Sequence, residues 1–475
     1  MNELIRTALA ASGNSLEIDA YTGRLRVTDE MLLRSHGIDA LVYLAVFGQP
    51  ERRAAARWLI WETAQALGIH PASIHELYIG RARDRLTHTF TTPAMNLRAL
   101  SYDVARAAFR AAIKAKVGAF MFELSRSEMV YTDQRPAEYA ACILAAAIRE
   151  GYRGPVFLQS DHFQINARNY VANTDAELTR LRNLIHESIR AGFYNIELDT
   201  STLVDVNLPT LEAQQRVNFE LCAILSDYVR THQPPKVDIS IGGEIGEVGD
   251  KNSDVHELRV FMDHYLRHIR HQPGLSKLSV RAGTSAGGVV LPDGSIAAAN
   301  VDFDRLKELS QAARREYMMG GAVQHGASSL PQSEFHRFVE AGAIELHLAT
   351  GFQNLLFEHL PGNLVTDIYD WLFTHAATER RPGDSDRQFI YRTRRLANGP
   401  FKQHIWNITD FEKAEIRRLF EEHFTSLYTA LGVNDTAAMV ANIVLTHQIH
   451  KRLEDFEIGR APDHELSARE PAGTA

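Results

Sequence analysis

Residues 117–162, VGAFMFELSRSEMVYTDQRPAEYAACILAAAIREGYRGPVFLQSDH, contain the pattern that decides the fold. A short run rich in Val, Leu and Phe is followed by a longer segment whose apolar residues recur at helical spacing, and then by a second short apolar run. This alternation is typical of a strand–helix–strand unit in a parallel sheet. Gly151 ends the helical segment, as glycine commonly does.

The same alternation continues on both sides of this unit and yields eight predicted strands. Eight strands with intervening helices favour a closed (β/α)₈ barrel, a TIM barrel of the α/β class, over an open sheet. The predicted strands are Thr89–Met95, Val117–Leu124, Pro155–His162, Asn195–Ser201, Lys236–Ile245, Lys277–Ser285, Gly321–Ala327 and Ala343–Thr350.

The segments outside the strand–helix alternation have a different sequence pattern. Residues 1–87 contain helical patterns with wide apolar faces, which predict an all-helical N-terminal addition to the barrel of residues 88–360. Residues 361–458 predict a C-terminal helical region packed on the barrel. Residues 459–475, which include HELSAREPAGTA, predict a disordered tail.

Composition excludes several classes of partner. The chain has 475 residues, a net charge of −8 and a pI near 6.2, which argues against binding to nucleic acid. No apolar run reaches the roughly 18 residues of a membrane span, and the first residues do not resemble a signal peptide. The two cysteines, Cys142 and Cys222, predict buried thiols in a reducing compartment. We therefore expect a cytoplasmic protein that does not contact membranes.

Chemically capable residues collect where the predicted strands end, which is where the active sites of such barrels lie. The third strand ends in QSDH (159–162), the fifth in GGEIGE (242–247), the seventh in QHGASS (324–329) and the eighth in HLATG (347–351). Imidazole and carboxylate together suit a divalent ion such as Zn²⁺. Glycine-rich turns after the sixth and seventh strands can hold a phosphate through successive N–H groups.

Several motifs, in their order along the chain, resemble class II fructose-bisphosphate aldolases and their ketose-bisphosphate relatives over residues 88–360. They are TPAMN (92–96), SDH (160–162), AGFYNIELDTS (191–201), GGEIGEVG (242–249), GTSAGG (283–288) and HGASSLP (325–331). The resemblance implies a class II aldolase-like carbon–carbon lyase that depends on a divalent metal, expected to be Zn²⁺.

The resemblance also implies roles for individual residues. His162 and His325 would ligate the metal with Glu244 close by, Asp161 would act as acid/base on the C4 hydroxyl of the ketose, and Glu247 would supply a second proton-transfer group. The residues implied to bind substrate or phosphate are Ser125, Ser285, Gly287, Gly326, Ser328 and Thr350.

Two departures from the family pattern stand out. Ala286 occupies the position of a metal-binding histidine in the family motif GTxHG, and the strand-eight motif NxxTD is replaced by His347 to Gly351. One imidazole is lost and another is gained nearby. We therefore hypothesise that His347 replaces the missing ligand, which would restore three histidines.

The predicted function is reversible aldol cleavage of a phosphorylated ketose, giving a triose phosphate such as dihydroxyacetone phosphate and an aldehyde. Two alternatives stay open: a non-catalytic barrel that binds a sugar phosphate, and an aldolase-like lyase or epimerase on a different sugar phosphate. The resemblance also implies a homo-oligomer, either a dimer or a tetramer. The histidine run His264, His268 and His271 and the arginines Arg392, Arg394 and Arg395 are predicted to be solvated surface residues, and contact of one of these arginines with a phosphate stays open as an alternative.

Overall fold

Eight parallel strands form a closed barrel in this computed structural model, which describes residues 3–86, 89–246, 251–283, 290–291, 297 and 300–456. The strands follow one another around the barrel in chain order, and the last pairs with the first. The predicted (β/α)₈ barrel is thus confirmed. The strands of the chain are β1 Leu16–Ile18, β2 Leu25–Val27, β3 Ile69–Ala72, β4 Thr92–Asn96, β5 Met121–Ser125, β6 Gly154–Gln164, β7 Asn195–Asp199, β8 Ser240–Glu244, β9 Lys277–Val280, β10 Ala322–Gln324 and β11 Glu345–Leu348, of which β4 to β11 build the barrel.

Each of the eight predicted strands overlaps one barrel strand, but the bounds differ. The fifth begins at Ser240 and not at Lys236, because Lys236 has a positive φ of 68° and follows two prolines. The sixth ends at Val280, well before Ser285, which lies outside the described residues. Apolar runs identify strands well, whereas the turn chemistry that trims their ends is a weaker signal.

Helices surround the barrel. They are α1 Glu3–Ala11, α2 Glu30–Leu32, α3 Ile38–Phe47, α4 Pro50–Ala66, α5 His75–Ala82, α6 Ser101–Lys114, α7 Arg126–Tyr131, α8 Pro136–Glu150, α9 Ala167–Ala172, α10 Thr174–Ala191, α11 Leu211–His232, α12 Val255–His268, α13 Phe303–Tyr317, α14 His336–Ala341, α15 Thr350–His359, α16 Gly362–His375, α17 Asp386–Thr393, α18 Lys402–Trp406, α19 Asp410–Ala430 and α20 Ala437–Ile443. Among the described residues, none of these helices is long and apolar enough to cross a membrane.

The N-terminal addition is mainly helical, but the prediction that it is all-helical is wrong. Strands β1 and β2 form an antiparallel hairpin, and β3 joins the barrel sheet. β3 pairs with the first half of the long strand β6, whose second half pairs with β7. Four-residue runs such as Ile69–Ala72 are too short to distinguish from helix ends by periodicity.

The C-terminal region is also helical. Its long helix α19 packs against α6, and the aromatic rings of Phe420, Phe424 and Tyr428 on α19 are buried. A later segment returns to the N-terminal addition, where Trp58 and Trp61 donate hydrogen bonds to the carbonyls of Lys451 and Ile449. The predicted disordered tail of residues 459–475 lies outside the described residues.

Candidate metal centre at the carboxyl end of the barrel

Polar side chains alternate along the barrel strands and therefore share the inner face of the barrel. Gln159 and Asp161 lie two residues apart on β6, and Glu345 and His347 lie two residues apart on β11. The residue nearer the carboxyl end of each pair belongs to an upper layer, and the other belongs to a lower layer. All four side chains are buried.

A β-bulge brings two consecutive residues of β6 to the same centre. The pairing between β6 and β7 changes register between Ser160 and Phe163, and His162 has a positive φ of 38°. In a regular strand Asp161 and His162 would point to opposite faces. Here the bulge lets both approach His325, with His162 packed ring to ring at a centroid distance of 4.3 Å. Such strain in a non-glycine residue is typical of functional sites.

Three imidazoles converge on one carboxylate oxygen. Asp161 Oδ1 lies 3.2 Å from His347 Nδ1, 3.4 Å from His325 Nε2 and 3.7 Å from His162 Nε2. The three histidines come from β6, from the residue after β10 and from β11, so the closed barrel is what brings them together. The rings of His325 and His347 lie 4.1 Å apart.

Further carboxylates surround this cluster and stabilise protonated imidazole in the absence of a cation. Burial disfavours the charge on His347, but Glu123 and Glu197 outweigh burial and raise its pKa well above the usual value. Asp161 and Asp199 do the same for the pKa of His162. Burial and neighbouring carboxylates raise the pKa of Glu123 to about 7 in spite of the opposing effect of His347.

The cluster has the donors that a divalent cation requires. Asp161 Oδ1, His162 Nε2 and His347 Nδ1 are buried and make no hydrogen bond with the described residues, although carboxylates lie close to both imidazoles. An unsatisfied buried polar atom is costly, so three that converge indicate a ligand. Two overlapping sets have donor atoms within 4.8 Å of one another, and these sets are His162, Glu244, His325 and Asp161, Glu197, His325, His347. Imidazole nitrogens and carboxylate oxygens fit Zn²⁺ or a similar ion.

The predicted ligands are therefore close together, but in a different grouping. His325 is common to both sets, His162 and Glu244 belong to one, and His347 belongs to the other. The predicted acid/base Asp161 is itself within the second set. Glu244 at the end of β8 also accepts a hydrogen bond from the backbone N–H of Gly246.

The lower layer is a closed network beneath this cluster. Lys277 donates to both carboxylate oxygens of Glu345 at 2.7 and 2.5 Å and to Gln159 Oε1 at 2.5 Å. Tyr78 donates to Glu345 at 2.5 Å, and Lys277 Nζ lies 3.0 Å from Glu197 Oε1. A side chain at Gly242 would meet Lys277 and Glu197 at 3.0–3.2 Å, so the glycine makes room for this ion pair.

Four of the predicted phosphate-binding residues, Ser125, Gly326, Ser328 and Thr350, are among the described residues and lie at the same end of the barrel. Gly326 has a left-handed φ of 72° and precedes a short 3₁₀ turn that contains Ser328, and Thr350 begins α15 after β11. Ser125 ends β5, but its hydroxyl caps α7 by accepting from the N–H of Glu128, which gives it a structural role. The predicted residues Glu247, Ser285 and Gly287 lie outside the described residues.

Sequence reasoning missed Glu123, Glu197, Lys277 and Glu345, all of which are buried inside the barrel. Their signal was present in the sequence. A charged residue in the middle of an apolar strand, two positions from a chemically capable one, must share its inward face. Glu345 precedes His347 by two residues, and Glu197 precedes Asp199 by two.

The expectation that Arg394 is solvated is wrong, because the side chain is buried. It donates to Asn354 and stacks on Tyr391 and Phe357. Arg395 lies over Tyr131, and among the described residues no carboxylate forms an ion pair with either arginine. Both interact electrostatically with Arg98, and burial lowers the pKa of both.

Comparison with known proteins identifies the family. Residues 83–395 match the sequence profile described as fructose-bisphosphate aldolase class-II. In fold, the chain is similar to a fructuronate-tagaturonate epimerase of Cohnella laeviribosi at 12% identity, over 91% of this chain and 90% of that one, with a TM-score of 0.54. It is similar to a probable tagatose 6 phosphate kinase of Sinorhizobium meliloti at 15% identity over 73% and 100%, with a TM-score of 0.51. An aldolase of Escherichia coli K12 matches at 14% identity over 77% and 99%, with a TM-score of 0.46. The family profile covers well over half of the chain, and the chain therefore belongs to the class II fructose-bisphosphate aldolase family.

Proposed function

We propose that this protein catalyses reversible, metal-dependent aldol cleavage of an anionic ketose. A phosphorylated ketose would give a triose phosphate such as dihydroxyacetone phosphate and an aldehyde. The observation that carries the proposal is the convergence of His162, His325 and His347 on Asp161 inside a barrel of this family. A protein that only bound a sugar phosphate would have no need of an acid/base buried beside three imidazoles.

In this proposal each residue has a chemical task. His162, His325 and His347 hold the cation with Glu244 close by, and the chemistry that the cation supplies is polarisation of the ketose carbonyl. Asp161 accepts the C4 hydroxyl proton as the C3–C4 bond breaks. In the cation-free protein burial raises the pKa of Asp161, but the neighbouring imidazoles outweigh burial and hold this pKa well below its usual value, so the group is a carboxylate that can accept a proton.

An anionic substrate is supported by two features of the barrel mouth. The turn at Gly326 and Ser328 can direct backbone N–H groups to a phosphate. Arg98, which follows β4 and pairs with Glu128 at 2.6 Å, also interacts electrostatically with Asp161, with the buried Arg394 and with the half-buried Arg395. Because Arg394 is buried and forms no ion pair with a carboxylate of the described residues, it favours an anion nearby.

Epimerisation is the second candidate function, and it uses the same bond cleavage. If the aldehyde rotates before the C3–C4 bond forms again, the configuration at C4 is inverted and no product leaves. The similarity to the Cohnella laeviribosi epimerase extends to the fold only, but it includes parts of the additions on both sides of the barrel, because it covers 91% of this chain. Sugars with a carboxylate therefore belong among the substrates to be tested.

The test is a substrate panel assayed with the purified protein and measured metal content. Ketose mono- and bisphosphates are assayed for release of a triose phosphate, and ketohexuronates for C4 inversion by NMR, each with and without EDTA. We expect EDTA-sensitive turnover of one class. Stoichiometric metal without turnover of either class contradicts both catalytic proposals and favours the non-catalytic binding barrel.

A further inference from the structure

The two nitrogens of His347 have different surroundings. Nε2 lies 3.0 Å from Glu345 Oε2 with hydrogen-bond geometry, so it can donate its proton to this carboxylate. Nδ1 points the other way, towards Asp161 at 3.2 Å, and makes no hydrogen bond with the described residues, although Glu123 is also 3.0 Å away. The ring is therefore polarised along the line from Glu345 to the candidate metal centre.

Glu345 cannot easily leave this arrangement. Its two oxygens accept hydrogen bonds from Lys277 at 2.7 and 2.5 Å, and Tyr78 donates to the first of them at 2.5 Å. The side chains of Glu345 and Lys277 are fully buried, and Gln159 bonds to both. Rotation of the Glu345 carboxylate would leave an ammonium group and a hydroxyl without partners in the barrel interior, which is costly.

Metal-ligating histidines usually donate their second ring N–H to a carboxylate, which fixes the tautomer and orients the ring. Glu345 stands in this relation to His347. We propose that Glu345, held in place by Lys277 and Tyr78, is a positioning residue that presents Nδ1 of His347 to the metal and so lets His347 replace the family histidine absent at Ala286. The proposal rests on the proposed function only in assuming that the centre binds a divalent cation.

The arrangement explains how a lost ligand is replaced from another strand. A histidine at an arbitrary strand position would have either nitrogen protonated and its ring free to rotate. His347 lies two residues after Glu345 on β11, so the strand period alone places the carboxylate below the imidazole on the same inward face. The ligand and the residue that orients it therefore lie on one strand.

Glu345→Gln tests the proposal by measuring cation affinity and not turnover. Zn²⁺ affinity is measured by competition with a chelator, and the Co²⁺-substituted protein reports the ligand geometry through its visible spectrum. Loss of an orienting carboxylate typically lowers metal affinity by about 10- to 100-fold, and we expect that loss with an altered Co²⁺ spectrum. Glu150→Gln removes one carboxylate from the ion pair between Arg106 and Glu150 at the end of α8, outside the candidate metal centre, and is the matched control with unchanged affinity.

A double-mutant cycle separates positioning from general destabilisation. If Glu345 acts through His347, Glu345→Gln has no further effect on affinity when His347 is already Ala. Affinity of E345Q within twofold of wild type, or effects of E345Q and H347A that add, would overturn the proposal. If E345Q does not fold, the same cycle is run with Glu345→Asp, which keeps the charge but withdraws it from His347, and the same outcomes decide.

The outcomes distinguish this proposal from the proposed function. A protein that binds Zn²⁺ in a Glu345-dependent way but cleaves and epimerises nothing contradicts the function alone. An active enzyme whose Zn²⁺ affinity is insensitive to Glu345 contradicts the positioning role alone.

Discussion

The two polar layers of the barrel interior are built from similar residues but differ in how well those residues are satisfied. In the lower layer, Lys277, Glu345 and Gln159 bond to one another and leave little unpaired. In the upper layer, only two residues further along β6 and β11, Asp161 and His347 direct unsatisfied atoms to one point. Burial of charge does not by itself indicate a functional site, whereas unsatisfied polar atoms that converge on one point do.

Charge balance connects the two layers. Glu123, Asp161, Glu197 and Glu345 are buried carboxylates, and Lys277 forms ion pairs with two of them, Glu197 and Glu345. The interior therefore requires more positive charge, which either protons on the histidines or a divalent cation can supply. The lower layer fixes the scaffold, and in the proposed function the upper layer would exchange protons for a cation.

The substitution Asp161→Asn removes the proposed acid/base from the upper layer and should have the largest effect, a loss of turnover. Loss of a general acid/base typically lowers turnover by about 10²- to 10⁴-fold. Asp161 belongs to one of the two candidate ligand sets, but the three imidazoles remain, so the loss of turnover should be much larger than any loss of metal. Turnover on the substrate identified by the panel and metal analysis of the same sample check this expectation. Retained turnover in D161N would show that another group carries the proton.

The substitution Lys277→Met removes the ammonium group of the lower layer and should lower the free energy of unfolding. Removal of one partner from a buried ion pair leaves an uncompensated charge and typically costs about 3–5 kcal/mol of unfolding free energy. The double variant K277M/E345M replaces both charges with apolar groups and should recover much of this stability while losing cation affinity. Urea unfolding measures both variants. A loss of less than about 1 kcal/mol in K277M would mean that the network contributes little to folding.

Removal of the cation should affect the upper layer selectively. A cation at 100 times its Kd stabilises the folded protein by about 2.7 kcal/mol, so a chelator should lower the melting temperature and added Zn²⁺ should restore it. The restoration should be much smaller in His347→Ala. Equal Zn²⁺ stabilisation in H347A and wild type would place the cation elsewhere.

The stability of the cation-free protein should depend on pH through the histidines of the upper layer. The pKa values of His162 and His347 are raised above 6.5, so their contribution to stability is fully present below about pH 6.5 and is lost as pH rises through the folded values. The loss is at most about 1.4 kcal/mol per pH unit for each histidine. Bound Zn²⁺ requires deprotonated imidazole and should reverse this trend. Thermal unfolding between pH 6 and 9, with and without Zn²⁺, checks the sign.

The sequence predicted the barrel because period-two and helical patterns are local. It also placed Asp161, His162 and His325 at strand ends, where a barrel gathers its chemistry. It could not show that a bulge turns His162 inward, since the bulge depends on how β6 pairs with β7. Nor could it separate ligands from orienting residues, because which donors meet depends on the relative register of strands distant in the chain.

The surface histidines of α12 provide the smallest expected effect and a control for the comparison. His264 stacks on Phe219 at 4.7 Å, and His268 bonds to the carbonyl of His264. The rings of His264 and His268 both pack against Phe219, and in the described part of the chain the groups that could hold a metal do not include them. His268→Ala should change unfolding free energy by no more than about 0.5 kcal/mol and leave Zn²⁺ content unchanged. A drop in Zn²⁺ content would mean that the spacing of the histidines along α12 marks a second metal site. In that case the convergence of unsatisfied atoms would not be the criterion that separates metal ligands from ordinary histidines.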